Sequence, residues 1–303
     1  MADLTNDFSW SSSRASKFDS CRLAYWFHYY GSWGGWERGA SERTHELWVL
    51  KKLTGRQAWA GIGVHDAIAE ALGVVQRGGE LPPAEKVIGD LHEKMRDEFK
   101  GSREGVYRRR KALGLVEHEY ELPISNAKWK ENWERAKGSL EAFYASPICA
   151  EICATPPERW LPIDALDTFD FEGTRVYVAP DFAFRDDRDR LRILDWKTGR
   201  PREKDHEQVR GYALFAADRW GAEPEELAAE LHYLAEGKVE AVTVDLEAIE
   251  AYKVRLRESI AAMKAVLKDP SKNEADEADF PAVSDSRECR WCNFRRLCPG
   301  AVD

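Results

Sequence analysis

The stretch from Pro180 to Lys197, PDFAFRDDRDRLRILDWK, constrains the fold more than any other part of the chain. It opens with an aspartate after a proline and closes with an apolar run holding an Asp and a Lys two residues apart. Side chains alternate faces along a β-strand with a period of two. Leu191, Ile193, Asp195 and Lys197 therefore share one face, and Arg192, Leu194, Trp196 and Thr198 share the other. A carboxylate and an ammonium at the end of an otherwise buried strand are costly to desolvate unless paired or put to use. Two readings stand at this point. One is a surface hairpin turning at RDDRDR, residues 185 to 190, with a salt bridge at its end. The other is a metal ion between Asp181 and Asp195, with Lys197 acting on what that metal polarises.

A chain of 303 residues is within the range of one decorated domain, read here as 1–303. Its 12 Trp, 12 Phe and 10 Tyr are ample for a core. The net charge of −9 carries no global basic signature, so any nucleic-acid contact comes from a local patch. No apolar run reads as long enough to span a bilayer, and MADLTNDFSW lacks the basic region and apolar core of a signal peptide. The expectation is a soluble cytoplasmic protein with no membrane partner. Six cysteines are too few for a disulfide scaffold at this length. In a reducing compartment they read as metal ligands, catalytic groups or buried thiols.

Residues 1–55 read as an N-terminal helical segment. Its serine run is suited to capping, and Phe18, Cys21, Tyr25 and His28 follow at helical spacing. A glycine-rich loop with Trp33 and Trp36 comes next, then a helix with Leu47, Leu50 and Leu53. Residues 56–156 read as helical. In the first of these helices Trp59, Ile62, Ala69 and Leu72 fit a buried stripe, with His65 beside it. A lone histidine there is ordinarily a satisfied core residue. Gly61 and Gly63 are poor helix formers and suggest a close approach. The run Arg108 to Lys111 reads as a solvated helix face. Residues 157–268 read as three short strands around a turn at Glu172-Gly173, then a helix over 204–219. Two strands straddling Gly237 and a helix to Lys268 complete them. Residues 269–303 combine an acidic linker, 270–286, with a cysteine-rich end. The order predicts an α/β fold, a mixed sheet flanked by helices, with a large helical insertion before it.

Asp181 and Asp195 offer hard oxygen ligands suited to Mg²⁺ or Mn²⁺, and a nitrogen from His65 favours Mn²⁺. Gln208 and Tyr212, at i and i+4, share the helix face that follows the strand. Gly61-x-x-x-His65, Pro180-Asp181, Asp195-x-Lys197 and Gln208-x-x-x-Tyr212, in that order, resemble the RecB-type branch of the PD-(D/E)xK nuclease superfamily, over about residues 9–299. The resemblance implies a restriction-endonuclease-like core and a metal-dependent DNA nuclease, an exonuclease on single-stranded DNA. It assigns metal binding to His65, Asp181 and Asp195 and assistance of hydrolysis to Lys197. Gln208 and Tyr212 contact substrate or brace the site. Many members of the branch carry Glu where this chain has Asp195.

Cys289-x2-Cys292-x5-Cys298-Pro is a tight ligand set that needs a fourth member. SSSRASKFDSCRLAYWF resembles the N-terminal helix of iron–sulfur members of the same branch, which makes Cys21 the fourth ligand of a [4Fe–4S] cluster joining the chain ends. A zinc site is the alternative that spacing alone leaves open. The resemblance also implies a helicase or CRISPR-adaptation partner, since no GxxxxGK[ST] motif is present for unwinding. Cys149 and Cys153 read as small apolar residues. Candidates for phosphate contact are Arg14, Lys17, Arg22, Arg108 to Lys111, Arg290, Arg295 and Arg296. Trp33 and Trp36 either stack on unpaired bases or pack on neighbouring helices.

Overall fold

A computed structural model describes residues 4–301. The chain opens on a two-residue strand, β1 (Ser9–Trp10), and turns directly into α1 (Ser12–Ser20). Ser11 caps α1 by accepting the Arg14 N–H at 3.1 Å. The continuous helix expected from Phe18 to His28 is broken at Cys21, whose backbone is extended at φ −161° and ψ 116°. Cys21 ends α1 and caps α2 (Arg22–Trp26), its sulfur accepting the Ala24 N–H. A π-helical turn (Phe27–Gly31) follows, and then α3 (Glu42–Leu50). Leu53 lies outside that helix, in β2 (Leu53–Thr54).

The insertion is α4 (Arg56–Gln76), α5 (Ala84–Arg103), β3 (Gly114–Leu115), α6 (Val116–Glu119), α7 (Asn126–Ala145) and α8 (Pro147–Ala154). α4 is long and apolar enough, by length and composition, to cross a membrane, contrary to the sequence expectation. Here it is a core helix: Trp59, Val64, Ile68 and Leu72 are buried against α5 and α7. The buried stripe therefore runs through Val64 and Ile68, while Ile62 is 53% exposed. The Arg108–Lys111 run is a short 3₁₀ turn and loop instead of a helix face.

Past the insertion come β4 (Asp167–Phe171), β5 (Thr174–Val178), β6 (Phe182–Arg185) and β7 (Leu191–Lys197). This half ends in α9 (Glu203–Trp220), β8 (Leu227–Tyr233), β9 (Lys238–Val242) and α10 (Leu246–Lys264). The β4–β5 turn has φ of 51° at Glu172 and 77° at Gly173, the left-handed pair a tight two-residue hairpin requires. One sheet runs β1-β5-β4 and another runs β6-β7-β8-β9. Pro180 stands in the break between β5 and β6, and it has no N–H with which to continue a ladder. β6 pairs antiparallel with β7, β7 parallel with β8 through the α9 crossover, and β8 antiparallel with β9. The sheet is mixed, as expected, but split in two.

β7 is buried on both faces. Leu191 and Ile193 join a core with Val209 and Phe215 of α9. Leu194 and Trp196 join another with α4 and Phe143 of α7. The turn is solvated at residues 187–190 but not at its first carboxylate. Asp186 is buried, accepts the N–H groups of Arg188 and Arg190, and pairs with the Arg190 guanidinium.

A third core joins the two ends of the chain: Leu23, Phe27, Leu47, Leu50 and Leu53 pack on Phe294. The Asn293 side chain donates to the carbonyls of Leu50 and Leu53, at 3.0 and 2.8 Å. Residues 270–286 are fastened too, which corrects the linker expectation. Phe280 is 1% exposed and stacks on Tyr25 at 6.1 Å, and Asn273 is bonded to Tyr30 and to the Asn6 carbonyl. The closing helix is α11 (Ser286–Arg290). Phe280→Ala is expected to cost about 3–5 kcal/mol, the range for truncating a buried Phe. Urea unfolding measures it, and a loss near zero would mean that the segment is a free tether.

Candidate active site

Register brings the two carboxylates together. The β6–β7 ladder pairs Phe182 with Leu194, so one step further Asp181 faces Asp195. Asp181 uses both oxygens: Oδ1 lies 2.9 Å from His65 Nδ1, and Oδ2 accepts the Trp196 N–H at 2.6 Å. Asp195 is 1% exposed. Lys197 Nζ lies 2.6 Å from its Oδ2, a close ion pair enclosed away from water. Lys197 donates to Gln208 Oε1 at 2.9 Å, and the Gln208 amide donates to the Tyr212 hydroxyl.

α4 brings His65 to this point because Gly61 leaves its surface bare. A Cβ at Gly61 would lie 2.9 Å from Thr198 Oγ1, just past the end of β7. His65 is one turn further on and meets Asp181. All six residues expected at the site, His65, Asp181, Asp195, Lys197, Gln208 and Tyr212, fall into one connected group.

The charges are strongly coupled. Burial first, and the Asp181 carboxylate second, hold Asp195 above the ordinary carboxylate range against the pull of Lys197. Burial works against the charged His65 imidazole, but Asp181 and then Asp195 outweigh it and lift its pKa to about 9. Burial and the two aspartates also raise Tyr212, which keeps its hydroxyl protonated.

Two cavities open on the centre. One, of about 910 Å³, is lined by Gln208, Tyr212, Asp205 and Lys204, and across from them by Ser12, Ser16 and Lys17 of α1. The other, of about 400 Å³, is lined by His65, Lys197, Asn132, Arg135, Arg200, Arg202 and Asp205. Arg200, Arg202 and Lys204 went unremarked in the sequence. Their signal was there: basic residues at every second position directly after Asp195-x-Lys197. Arg135 carried no such signal, since only the packing of α7 on α4 brings it near. Asp164 was missed as well. Its N–H reaches the Asp181 carbonyl at 3.2 Å, from a backbone with φ of 42°.

Most of the other basic candidates are engaged elsewhere. Arg14 is buried, bonded to Tyr25 and Ser9 and set over the Tyr29 ring at 4.3 Å. Arg22 lies over Phe18. Arg108 and Arg296 share Glu46 and Glu119. Arg290 and Arg295 lie over Trp291 and Tyr120. Arg109, Arg110 and Lys111 are exposed, and Lys17 lines the larger cavity. Trp33 and Trp36 stack edge-on against each other at 5.1 Å and remain 37% and 39% exposed.

Cys21, Cys289, Cys292 and Cys298 line one cavity of about 150 Å³. Cys149 is buried and Cys153 exposed on α8, remote from that set in the chain. Burial raises Cys292 to about 11, against the Phe294 N–H that its sulfur accepts. Among the described residues no group of three or more His, Cys, Asp or Glu side chains is gathered closely enough to hold a metal ion.

A family model for the PD-(D/E)XK nuclease superfamily matches residues 9–299. A search of curated proteins returns no match. Among solved structures, the crystal structure of SSO0001 matches with 14% identity, over 62% of this chain and 80% of that one, at a TM-score of 0.31. That likeness is too loose to bear on the fold.

The His65–Asp181 pair has a pH signature. A pKa raised from 6.5 to about 9 on folding gives stability that is present in full below pH 6.5 and lost as pH rises through 9. In the metal-free protein, the urea midpoint of wild type should exceed that of His65→Gln at low pH. The gap should close across that window, and a gap independent of pH would refute the pairing.

Proposed function

The chain belongs to the PD-(D/E)XK nuclease superfamily, and on that premise we propose that it is a metal-dependent DNA nuclease. The reading extends to an exonuclease on single-stranded DNA whose chain ends are joined by a structural iron–sulfur cluster. Superfamily members are generally nucleases and commonly use Mg²⁺ or Mn²⁺. The observation that carries the reading is the meeting of two carboxylates, Asp181 and buried Asp195, on paired strands with Lys197 2.6 Å from Asp195. Burial and the facing Asp181 charge both penalise ionised Asp195, and a bound cation would offset them.

Mg²⁺ is commonly held by one or two carboxylates with waters completing its shell. Asp181 and Asp195 fit that donor chemistry, and His65 would add a nitrogen once it gives up the proton that Asp181 stabilises. The ion, when bound, supplies charge that favours a water nucleophile and neutralises a phosphate oxygen. The chain's own residues do the positioning. His65 and the Trp196 N–H fix the Asp181 carboxylate. Gln208 holds the Lys197 ammonium in place, and Tyr212 holds Gln208. Lys197 then stabilises the negative charge that grows on the phosphate as the ester bond breaks.

Four thiols are the ligand set of a [4Fe–4S] cluster, and the four cysteines around one cavity fit that count. The cluster, when bound, adds a covalent clasp where Phe294 and Asn293 already hold the ends together. The single-strand preference is supported by the likeness of the Ser-rich first helix and the four cysteines to iron–sulfur members of the family. The same reading includes a reducing cytoplasm and a helicase or CRISPR-adaptation partner that supplies free strand.

End-labelled single- and double-stranded DNA with Mg²⁺ or Mn²⁺ is the direct test. Asp195→Ala and Lys197→Ala should each lower the rate by about 10²–10³-fold, the scale for losing one charge-stabilising group. Hydrolysis at an equal rate in wild type and Lys197→Ala would sink the mechanism, and binding without any hydrolysis would make the chain a DNA-binding subunit. A second test is metal analysis of anaerobically purified protein. Iron with a broad visible absorption should be present and lost in Cys292→Ser. Stoichiometric zinc in its place would overturn the cluster.

A further inference from the structure

The two cavities beside the catalytic centre differ sharply in charge. The larger has Lys17 and Lys204 against Asp205 and Glu288, which cancel. The smaller has Arg135, Arg200 and Arg202 against Asp205, besides Lys197 and His65, which Asp195 and Asp181 already pair. Such a concentration of cations in a chain of net charge −9 needs an anion to match. The protein itself supplies little. Arg135 has one loose ion pair, 3.8 Å from exposed Glu131, and Arg200 and Arg202 have none among the described residues. These residues line the cavity from two directions, Arg135 from α7 and the other two from the loop between β7 and α9. A planar guanidinium matches phosphate oxygens two at a time.

An internal phosphodiester carries a single negative charge, which Lys197 and a catalytic cation would go far to balance. A terminal phosphate monoester carries about −1.5 to −2 near neutral pH and presents three free oxygens. Three further arginines fit the second ligand better than the first. We propose that this arginine-lined cavity seats the terminal phosphate of the substrate strand, so that cleavage is set from a phosphorylated end. The inference rests on the nuclease reading for the identity of the strand. The neutral, hydroxyl-lined cavity on the other side then carries the rest of the strand, where the charge per nucleotide is lower.

The test is equilibrium binding of fluorescent single strands of equal length and sequence in chelator, where no hydrolysis occurs. The strands carry a 5′-phosphate, a 3′-phosphate or hydroxyls at both ends. Wild type should bind one of the phosphorylated strands about tenfold more tightly than the hydroxyl-ended one, the scale of a charge-assisted contact. The two phosphorylated arms tell which end is seated. The double variant Arg200→Gln/Arg202→Gln, altered only at exposed loop positions, should lose that preference while its affinity for the hydroxyl-ended strand changes much less. Lys130→Gln, exposed on α7, controls for charge alone and should keep the preference. Equal affinity for all three strands in wild type, or a preference that survives in the double variant, overturns the proposal. Digestion of all strands regardless of their ends would leave the nuclease reading standing and the end site refuted. End-dependent binding with no digestion in Mg²⁺ or Mn²⁺ would do the reverse.

Discussion

At the end of β7 a carboxylate is withdrawn from water, with a lysine two residues away on the same face 2.6 Å from it and a second carboxylate opposite. Two charges this close and this dry repay their desolvation only with good geometry. The surroundings compensate in part. Gln208 takes one proton of the ammonium, Tyr212 fixes Gln208, and the Asp181 charge opposite is held by His65 and a backbone N–H. These supports come from three elements. α4, α9 and the β6–β7 ladder must all be correctly placed before the group is complete, so the site and the fold are one problem.

The insertion is tied to that problem through α4. This helix has a membrane helix's composition because it is packed by α5 and α7 on its outer sides and by the sheet beneath. Its length sets His65 a turn beyond Gly61. A smaller helical cover would protect Leu194 and Trp196 from water but would not deliver an imidazole to Asp181.

The site was far more legible in the sequence than the way the chain holds together. Asp195 and Lys197 were readable because strand parity is a local rule, and Gln208 and Tyr212 because helical spacing is one as well. Register between strands then did the rest. Arg135 was invisible, since its place depends on helix packing alone. The buried state of Asp186 was hidden by its company: five neighbours with charges look like a solvated loop, but a carboxylate that takes up two N–H groups and a guanidinium is a fold-closing residue. Segment 270–286 looked like a linker for the same reason. Its polar composition masked Phe280 and Asn273, two anchors whose partners lie some 250 residues earlier. The break at Cys21 escaped a periodicity reading, because the apolar spacing on either side of it stays in phase.

That break has a wider reach. Cys21 ends the helix whose serines and Lys17 form one wall of the larger cavity, and the same residue lines the small cysteine cavity. Lys17, Ser20 and Glu288 border both spaces. The two compartments therefore share one wall, and the residues that border the cysteines also border the space beside Gln208 and Tyr212.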